Sequence, residues 1–379
     1  MHRSNDRILT THTGSLPRPD ELAAIIGRRE TQGLNDTETT QLPGLVRQAV
    51  FDIVARQHNV GVDIASDGEM SKIGYSTYVK ERLSGFDGEA AALSLADLDD
   101  YPGLAETALD GLVTGMPACT GPVKYIGHDE LQTDLTNLND ALSDTNITGG
   151  VIPAASPGVI SLFLDNQHYN TDDEYLYALA DAMAEEYQAI TRAGLTVQID
   201  APDLAMGRHA QYAHLDLEGF RNRIAVHVEA LNHALRTVDP QQVRLHLCWG
   251  NYAGPHHHDV ALAGIIDIVL QANVGALVFE AANPRHAHEW SVFETTTLPD
   301  DKIIIPGMID TCTNYIEHPE LVAQRIIRYA NLVGKQRVIA GTDCGLSTFA
   351  TFHPVAADIA WAKLETLTAG ANLATRHLW

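Results

Sequence analysis

Val243-Arg244-Leu245-His246-Leu247-Cys248 is the stretch on which the fold turns. It reads as a strand over residues 243–247 that ends in two chemically capable side chains. Working outward, a helix over about 217–237, closed by Pro240, precedes it, and a helix over 258–272 follows. Further strands read at 276–279, 302–306 and 337–340, with helices at 319–332 and 354–373. Upstream lies a strand at 195–199 ending at Asp200. Before it runs an amphipathic helix over 172–192, with Thr171 or Asp172 as N-cap and Gly194 as its stop. Strands at 7–13, 60–66 and 116–119 complete the set, a helix reads at 42–58, and 143–150 has the composition of a loop.

Strands alternating with helices point to parallel βαβ units, and eight strands predict an α/β fold of the (β/α)8 TIM-barrel type. It carries an N-terminal helical extension and an inserted segment after strand 2. That segment, residues 85–110, is acidic and rich in Ala, Leu and Gly, and reads as a lid or hairpin within one domain spanning 1–379. A doubly wound open sheet is the alternative, but no G-x-G-x-x-G follows any strand. In a barrel, strand ends converge on one mouth. Here those ends carry Ser15, Glu69, Thr120, Asp200, His246, Cys248, Glu280, Asp310 and Cys344.

The 379 residues are 45% hydrophobic and 20% charged, with a net charge of −24. Such a field repels nucleic acid and anionic membranes, so neither is an expected partner. The first residues hold no apolar signal core, and no apolar run is long enough to span a bilayer. The 4 cysteines, at 119, 248, 312 and 344, are far apart, which fits reduced thiols in a cytoplasmic protein.

Positions i and i+2 of a strand face the same side, so His246 and Cys248 can reach one ion. Alone, H-x-C more often marks a buried Cys beside a satisfied His. Glu280, after an apolar run, and Cys344, in Gly341-Thr342-Asp343-Cys344-Gly345, change the weight. Two thiolates, one imidazole and one carboxylate form a tetrahedral zinc set, and soft sulfur selects Zn2+ over magnesium or calcium. The carboxylate is the exchangeable ligand, leaving a place for a substrate thiol. A free thiol, with a pKa near about 8.5, is mostly neutral at pH 7, whereas a metal-bound one is deprotonated. The pattern therefore predicts alkyl transfer to a thiol. His256-His257-His258, His286 and His288 read as solvent-facing loop histidines, and Cys312 as a buried or pocket thiol.

The spaced combination Thr10-Thr11-His12-Thr13-Gly14-Ser15-Leu16-Pro17-Arg18, Asp67-Gly68-Glu69, Thr120-Gly121-Pro122-Val123, Ile199-Asp200, His246-Leu247-Cys248, Glu280 and Asp343-Cys344-Gly345 resembles the catalytic C-terminal barrel of the cobalamin-independent methionine synthases. The resemblance covers most of the chain and implies a stand-alone core form without the family's second barrel. It implies zinc on His246, Cys248, Glu280 and Cys344. It implies a homocysteine-like partner held by Thr13, Gly14 and Ser15 at its carboxylate and by Glu69 and Asp200 at its ammonium.

On the donor side, His128, Met206 and Cys312 stand near positions where the family has tryptophan, glutamate and histidine. Glu280, Asp310, Cys312 and His128 are the candidates for the chemical step. The donor is a folate, a methylcorrinoid or another alkyl carrier, and a homo-oligomer is left open. Cys248-Trp249-Gly250-Asn251-Tyr252 is similar to the epoxyalkane:coenzyme M transferases. That second reading needs Tyr75 or His128 as proton donor and Lys72 or Lys124 for a sulfonate. A non-catalytic zinc barrel, or a uroporphyrinogen-decarboxylase-like protein, is the third.

Overall fold

The computed structural model describes residues 1–91, 93–108 and 116–379, with side chains omitted at 106–108. Seven parallel strands run in the order Ile64–Ser66, Gly149–Ala155, Thr196–Asp200, Val243–His246, Ala276–Phe279, Ile303–Ile309 and Gly341–Thr342. Thr10 bridges Ala340 and Thr11 bridges Ile64, both in parallel, so residues 10 and 11 stand as the first barrel strand, between Ile64–Ser66 and the chain's last strand, and close the barrel. The helices Asp20–Thr31 and Asp36–Asn59 therefore follow the first strand rather than precede the barrel.

Side-chain parity divides the interior from the outer layer. Leu9, Ile64, Val151, Ala276, Val278, Ile303, Ile305 and Ile339 form a separate buried cluster inside the barrel. Their neighbours Leu277, Phe279 and Ile304 join the larger core under the helices. The same alternation turns Arg244 inward, where its guanidinium reaches Gln198, Thr11 and the His12 carbonyl at 2.7, 2.9 and 2.8 Å. His246 and Cys248 share that parity, which carries them towards the barrel mouth.

The helices that flank the strands are specified locally. Thr171 caps Asp172–Arg192 by accepting from the Glu174 N–H, and Asp216 caps Leu217–Ala234 in the same way through Gly219. Among the described residues no helix is long and apolar enough to cross a membrane.

Two expectations are corrected. The third barrel strand is Gly149–Ala155, not 116–119. Two glycines and Pro153 make that segment look like a loop. Yet Gly150 serves close packing, because a Cβ there would meet Leu142 and Leu195 side chains at 2.5 and 2.6 Å. Ala118–Cys119 instead pairs antiparallel with Phe86–Asp87 in a separate ribbon, which removes Thr120 from the mouth.

The helix expected over 258–272 shrinks to a 3-10 turn, Leu262–Gly264, and the single turn Ile266–Val269. Carboxylates claim the backbone N–H groups that a helix would need: Asp97 takes that of His258 and Glu289 that of Leu262. Of the segment 85–110, residues 92, 109 and 110 lie outside the described residues.

Candidate functional site

One cavity opens at the C-terminal ends of the strands, lined by the connections that follow six of them. Cys248, just past the Val243–His246 strand, and Cys344, just past Gly341–Thr342, bring their sulfurs to 3.7 Å. A disulfide needs about 2.05 Å, so these are free thiols. Two sulfurs on a tetrahedral zinc with bonds of about 2.3 Å stand about 3.7–3.8 Å apart. The Gly250 N–H points at Cys248 Sγ from 3.3 Å, a donor suited to a thiolate. Burial beside Cys344 otherwise pushes the Cys248 thiol well up in pKa, with its hydrogen-bonded sulfur neighbour the largest cause.

His246 is oriented for the same point. Its Nδ1 meets Asp200 Oδ1 at 2.9 Å, and Gln198 Nε2 donates to that oxygen at 2.7 Å. The carboxylate fixes the tautomer and leaves Nε2, which is buried and has no hydrogen-bond partner among the described residues. Ligand atoms of His246, Cys248 and Cys344 all lie within 4.8 Å of one another. An orphaned imidazole nitrogen beside two thiols at a zinc-like spacing fits a metal of the zinc class.

Glu280 is not in that group. Its Oε1 accepts from the Trp249 N–H at 2.7 Å and its Oε2 from Asn283 Nδ2 at 2.6 Å. Asp343, which sequence reasoning passed over, holds this turn by accepting the N–H groups of Ala281, Ala282 and Asn283, each at 2.8 Å. Its place beside Cys344 in Gly341-Thr342-Asp343-Cys344-Gly345 was the available signal.

Thr13, Gly14, Ser15, Glu69 and Asp200 line the same cavity. Glu69 is fully buried and adopts φ 58, a left-handed conformation unusual for a non-glycine residue. Gly14, at φ 56, leaves it room, since a Cβ there would stand 2.4 Å from Glu69 Oε1. Arg18 anchors the loop through the carbonyls of Glu69 and Lys72, at 2.7 and 2.9 Å. Burial raises the Glu69 carboxyl from 4.5 to about 8, and its Oε2 has no hydrogen-bond partner among the described residues. A buried acid with an open oxygen is built to meet a cation.

The other wall is apolar. Phe163, Met206, Phe349 and Phe352 line it, with Leu93 and Leu95 from the inserted segment. Tyr75 joins them and packs against Phe163 and Phe349. These side chains come from separate connecting segments, Phe163 from the end of the helix Pro157–Phe163 and Met206 from the turn Met206–Arg208, with no shared periodicity to announce them.

Three expected site residues lie elsewhere. His128 begins the surface helix His128–Ser143, is 62% exposed and pairs at 3.6 Å with Glu185, because a helix start on the outer layer carries it away from the mouth. Asp310 and Cys312 fall behind the cavity wall. Asp310 caps its own loop through the Cys312 N–H at 2.9 Å, and Cys312 Sγ lies 3.1 Å from Oδ1 of Asn251, a lining residue. Lys72 is spent on the Pro153 carbonyl at 2.6 Å, and neither it nor Lys124 lines the cavity.

A family model described as the catalytic domain of cobalamin-independent synthase matches residues 163–360. The chain is 23% identical over 372 residues to a methionine synthase of Thermococcus kodakarensis, covering 97% of this chain and 94% of that one. It is 25% identical over 338 residues to a methionine synthase of Sulfolobus acidocaldarius, covering 89% and 85%. Two solved structures share the fold. A B12-independent methionine synthase from Shewanella sp. W3-18-1, in complex with selenomethionine, has a TM-score of 0.74 at 19% identity and covers 98% of this chain and 99% of that one. A B12-independent methionine synthase assigned in Listeria monocytogenes has 0.64 at 18%, covering 97% and 98%. The matched segment contains Asp200, His246, Cys248, Glu280 and Cys344, while Ser15 and Glu69 lie before it.

Proposed function

Because this chain belongs to the cobalamin-independent methionine synthase family, through a catalytic-domain match over residues 163–360, we propose that it transfers a methyl group to the sulfur of a homocysteine-like amino acid. The observation that carries this reading is one cavity holding both a sulfur and imidazole donor set and an unpaired buried carboxylate, Glu69. The donor set suits a thiol, and the carboxylate suits an ammonium. The Shewanella relative in complex with selenomethionine is consistent with an amino acid occupant.

His246, Cys248 and Cys344 would hold Zn2+, with Glu280, hydrogen-bonded to Trp249 and Asn283, as a reserve donor. When bound, zinc supplies the Lewis acidity that draws a thiol below its ordinary pKa of about 8.5. Asp200 keeps the His246 Nδ1–H in place and completes the polar wall. Glu69 takes the substrate ammonium, and the Ser15 hydroxyl and neighbouring backbone take its carboxylate. So placed, the sulfur lone pair attacks the methyl carbon from the apolar side. The bond from that carbon to its carrier breaks, and the electron pair leaves with the carrier. The inserted segment, residues 85–110, acts as a lid that keeps water from this wall.

The coenzyme M reading lacks support at its sulfonate. Among the described residues no Lys or Arg lines the cavity. The deciding experiment supplies the zinc-loaded chain with L-homocysteine or coenzyme M and a panel of methyl donors, including methyltetrahydrofolate and a methylcorrinoid. Mass spectrometry should find methionine with one donor and no methylated coenzyme M. Methylation of coenzyme M alone would reverse the assignment.

A further inference from the structure

Beyond Tyr252, on the side away from the two sulfurs, lies a second group of ligating side chains. Tyr252 lines the cavity, yet its hydroxyl turns outward and donates to Asp97 Oδ2 at 3.1 Å. Asp97 sits on Ala96–Asp99 in the inserted segment, His209 follows the turn Met206–Arg208, and Asp259 belongs to the loop after the Val243–His246 strand. Their side chains are 0%, 0% and 3% exposed.

Isolated buried carboxylates are costly, so each must have partners. Both do. Asp259 Oδ2 meets His286 Nε2 at 3.0 Å and His256 Nδ1 at 3.2 Å. Asp97 Oδ1 accepts the His258 N–H at 2.9 Å. The other two oxygens face His209, although Asp97 Oδ2 also accepts from the Tyr252 hydroxyl and Asp259 Oδ1 also lies 3.4 Å from His256 Nδ1. The His209 Nδ1 stands 2.9 Å from Asp259 Oδ1 and 3.4 Å from Asp97 Oδ2. That Nδ1 forms an ion pair with Asp259, but neither buried ring nitrogen makes a well-aligned hydrogen bond among the described residues.

Close but misaligned donors are what a shared cation produces. Neighbouring ligands on a divalent ion with bonds of about 2.0–2.1 Å stand about 2.9–3.4 Å apart, from an octahedral to a tetrahedral edge. One atom from each of the three residues lies within 4.8 Å of the others. One imidazole and two carboxylates suit a first-row divalent ion of the manganese or zinc class better than a sulfur-seeking one.

We propose that Asp97, His209 and Asp259 form a second divalent-cation site, separate from the cysteine pair, that staples the inserted segment to the barrel. The backbone already makes a seam there, with the Ala96 N–H donating to the His209 carbonyl at 2.8 Å. Leu93 and Leu95, just before Asp97, line the apolar wall of the cavity, so the ion sets the position of that wall. Methyl transfer is not assumed: the site stands whether or not the neighbouring cavity performs that reaction.

The test uses the full chain carrying Cys248→Ser and Cys344→Ser, stripped with chelator and titrated with Mn2+. Binding is followed by loss of the free-ion paramagnetic resonance signal, and Zn2+ content is measured after desalting. One equivalent is expected to remain, together with a rise in melting temperature. His209→Gln and Asp97→Asn, each checked for native circular dichroism, should weaken it by at least the roughly 10–100-fold that loss of an outer partner costs. Should the cysteine variant fail to fold, the wild-type chain serves, with two equivalents expected and one lost in His209→Gln. Mn2+ and Zn2+ binding unchanged by His209→Gln and Asp97→Asn, or no equivalent beyond the cysteine pair, overturns the proposal. So does loss of the equivalent in His257→Ala with His258→Ala, which would move the ion to the exposed pair beside Asp97.

Discussion

The two walls of the cavity are made differently. The polar wall of Ser15, Glu69, Asp200, His246, Cys248 and Cys344 stands at strand ends or just past them, with Asp200 and His246 held in the backbone ladder and the others a few residues beyond it. The apolar wall of Leu93, Leu95, Phe163, Met206, Phe349 and Phe352 stands on loops, the ends of two short helices and the inserted segment. Rigid strand ends suit chemistry that tolerates little displacement, and loops suit a surface that adapts to its occupant. The thiol half is thus preorganised, and the donor half is where specificity is set. Variants in the two walls should part cleanly, and each prediction tries to make them fail to.

The largest effect belongs to the cysteine pair. Cys248→Ser or Cys344→Ser should lose zinc by more than the roughly 10–100-fold that an outer partner costs, and methyl transfer with it. Metal analysis after dialysis and a turnover assay read both. Stoichiometric zinc at the barrel mouth in both variants would break the polar wall as drawn.

Next comes Glu69. Its folded-state pKa of about 8 lies above the ordinary 4.5, mainly through burial, so the acid is largely neutral at pH 7. Its contribution to stability is full below about 4.5 and is lost as pH rises through about 8. Glu69→Gln should therefore flatten stability against pH in that window, read by chemical denaturation. An ammonium ligand reverses the preference and binds the ionised form. Methionine, which has no thiol to titrate, should bind about tenfold tighter per pH unit up to about 8. Glu69→Gln should remove that slope and weaken binding by about 1.5–3 kcal/mol, the range of a hydrogen bond to a charged group. Calorimetry at several pH values gives both, and a slope that persists in the variant sinks the ammonium assignment.

What the sequence made legible follows the same division. The i, i+2 rule put His246 and Cys248 on one side of a strand, and both line the cavity. Strand-to-helix alternation predicted the barrel even with one strand misplaced. It failed at Gly149–Ala155 because Gly150 there answers to the side chains of Leu142 and Leu195, a tertiary demand no local pattern shows. Glu280 was legible as a strand-end acid. Its rotation toward Trp249 and Asn283 depends on Asp343, a residue from another strand, and so on contacts far apart in sequence. His128 was placed by alignment with a loop, whereas it starts a helix on the surface. The aromatic and leucine side chains of the second wall come from separate connecting segments and have no shared period to read.

That second wall makes the third prediction. Leu93 is 39% exposed and borders the cavity, so it contributes little to packing. Covering it with an apolar donor stabilises the complex by less than the 1.5–3 kcal/mol of a fully buried leucine. Leu93→Ala should raise the KM for the methyl donor by about three- to tenfold and leave methionine affinity unchanged. Equal loss on both sides would mean that the walls are not independent.

Cys312 gives the smallest effect and the sharpest control. Its Sγ lies 3.1 Å from Asn251 Oδ1, and Asn251 Nδ2 donates onward to the Gly345 carbonyl at 2.8 Å, beside Cys344. The thiol thus touches the site through one residue. Burial and nearby acids push it well up in pKa, so it stays neutral and acts only as a weak donor. A serine hydroxyl makes the same hydrogen bond. Cys312→Ser should change turnover by less than about threefold, within the roughly 0.5 kcal/mol expected away from a disrupted network. Cys312→Val removes the donor, while Asn251 Oδ1 still accepts from Thr311 at 2.8 Å, so a modest further loss is expected. If Cys312→Ser abolished turnover while zinc stayed bound, Cys312 would belong among the reacting groups, and the boundary between the walls would have to be redrawn to include it.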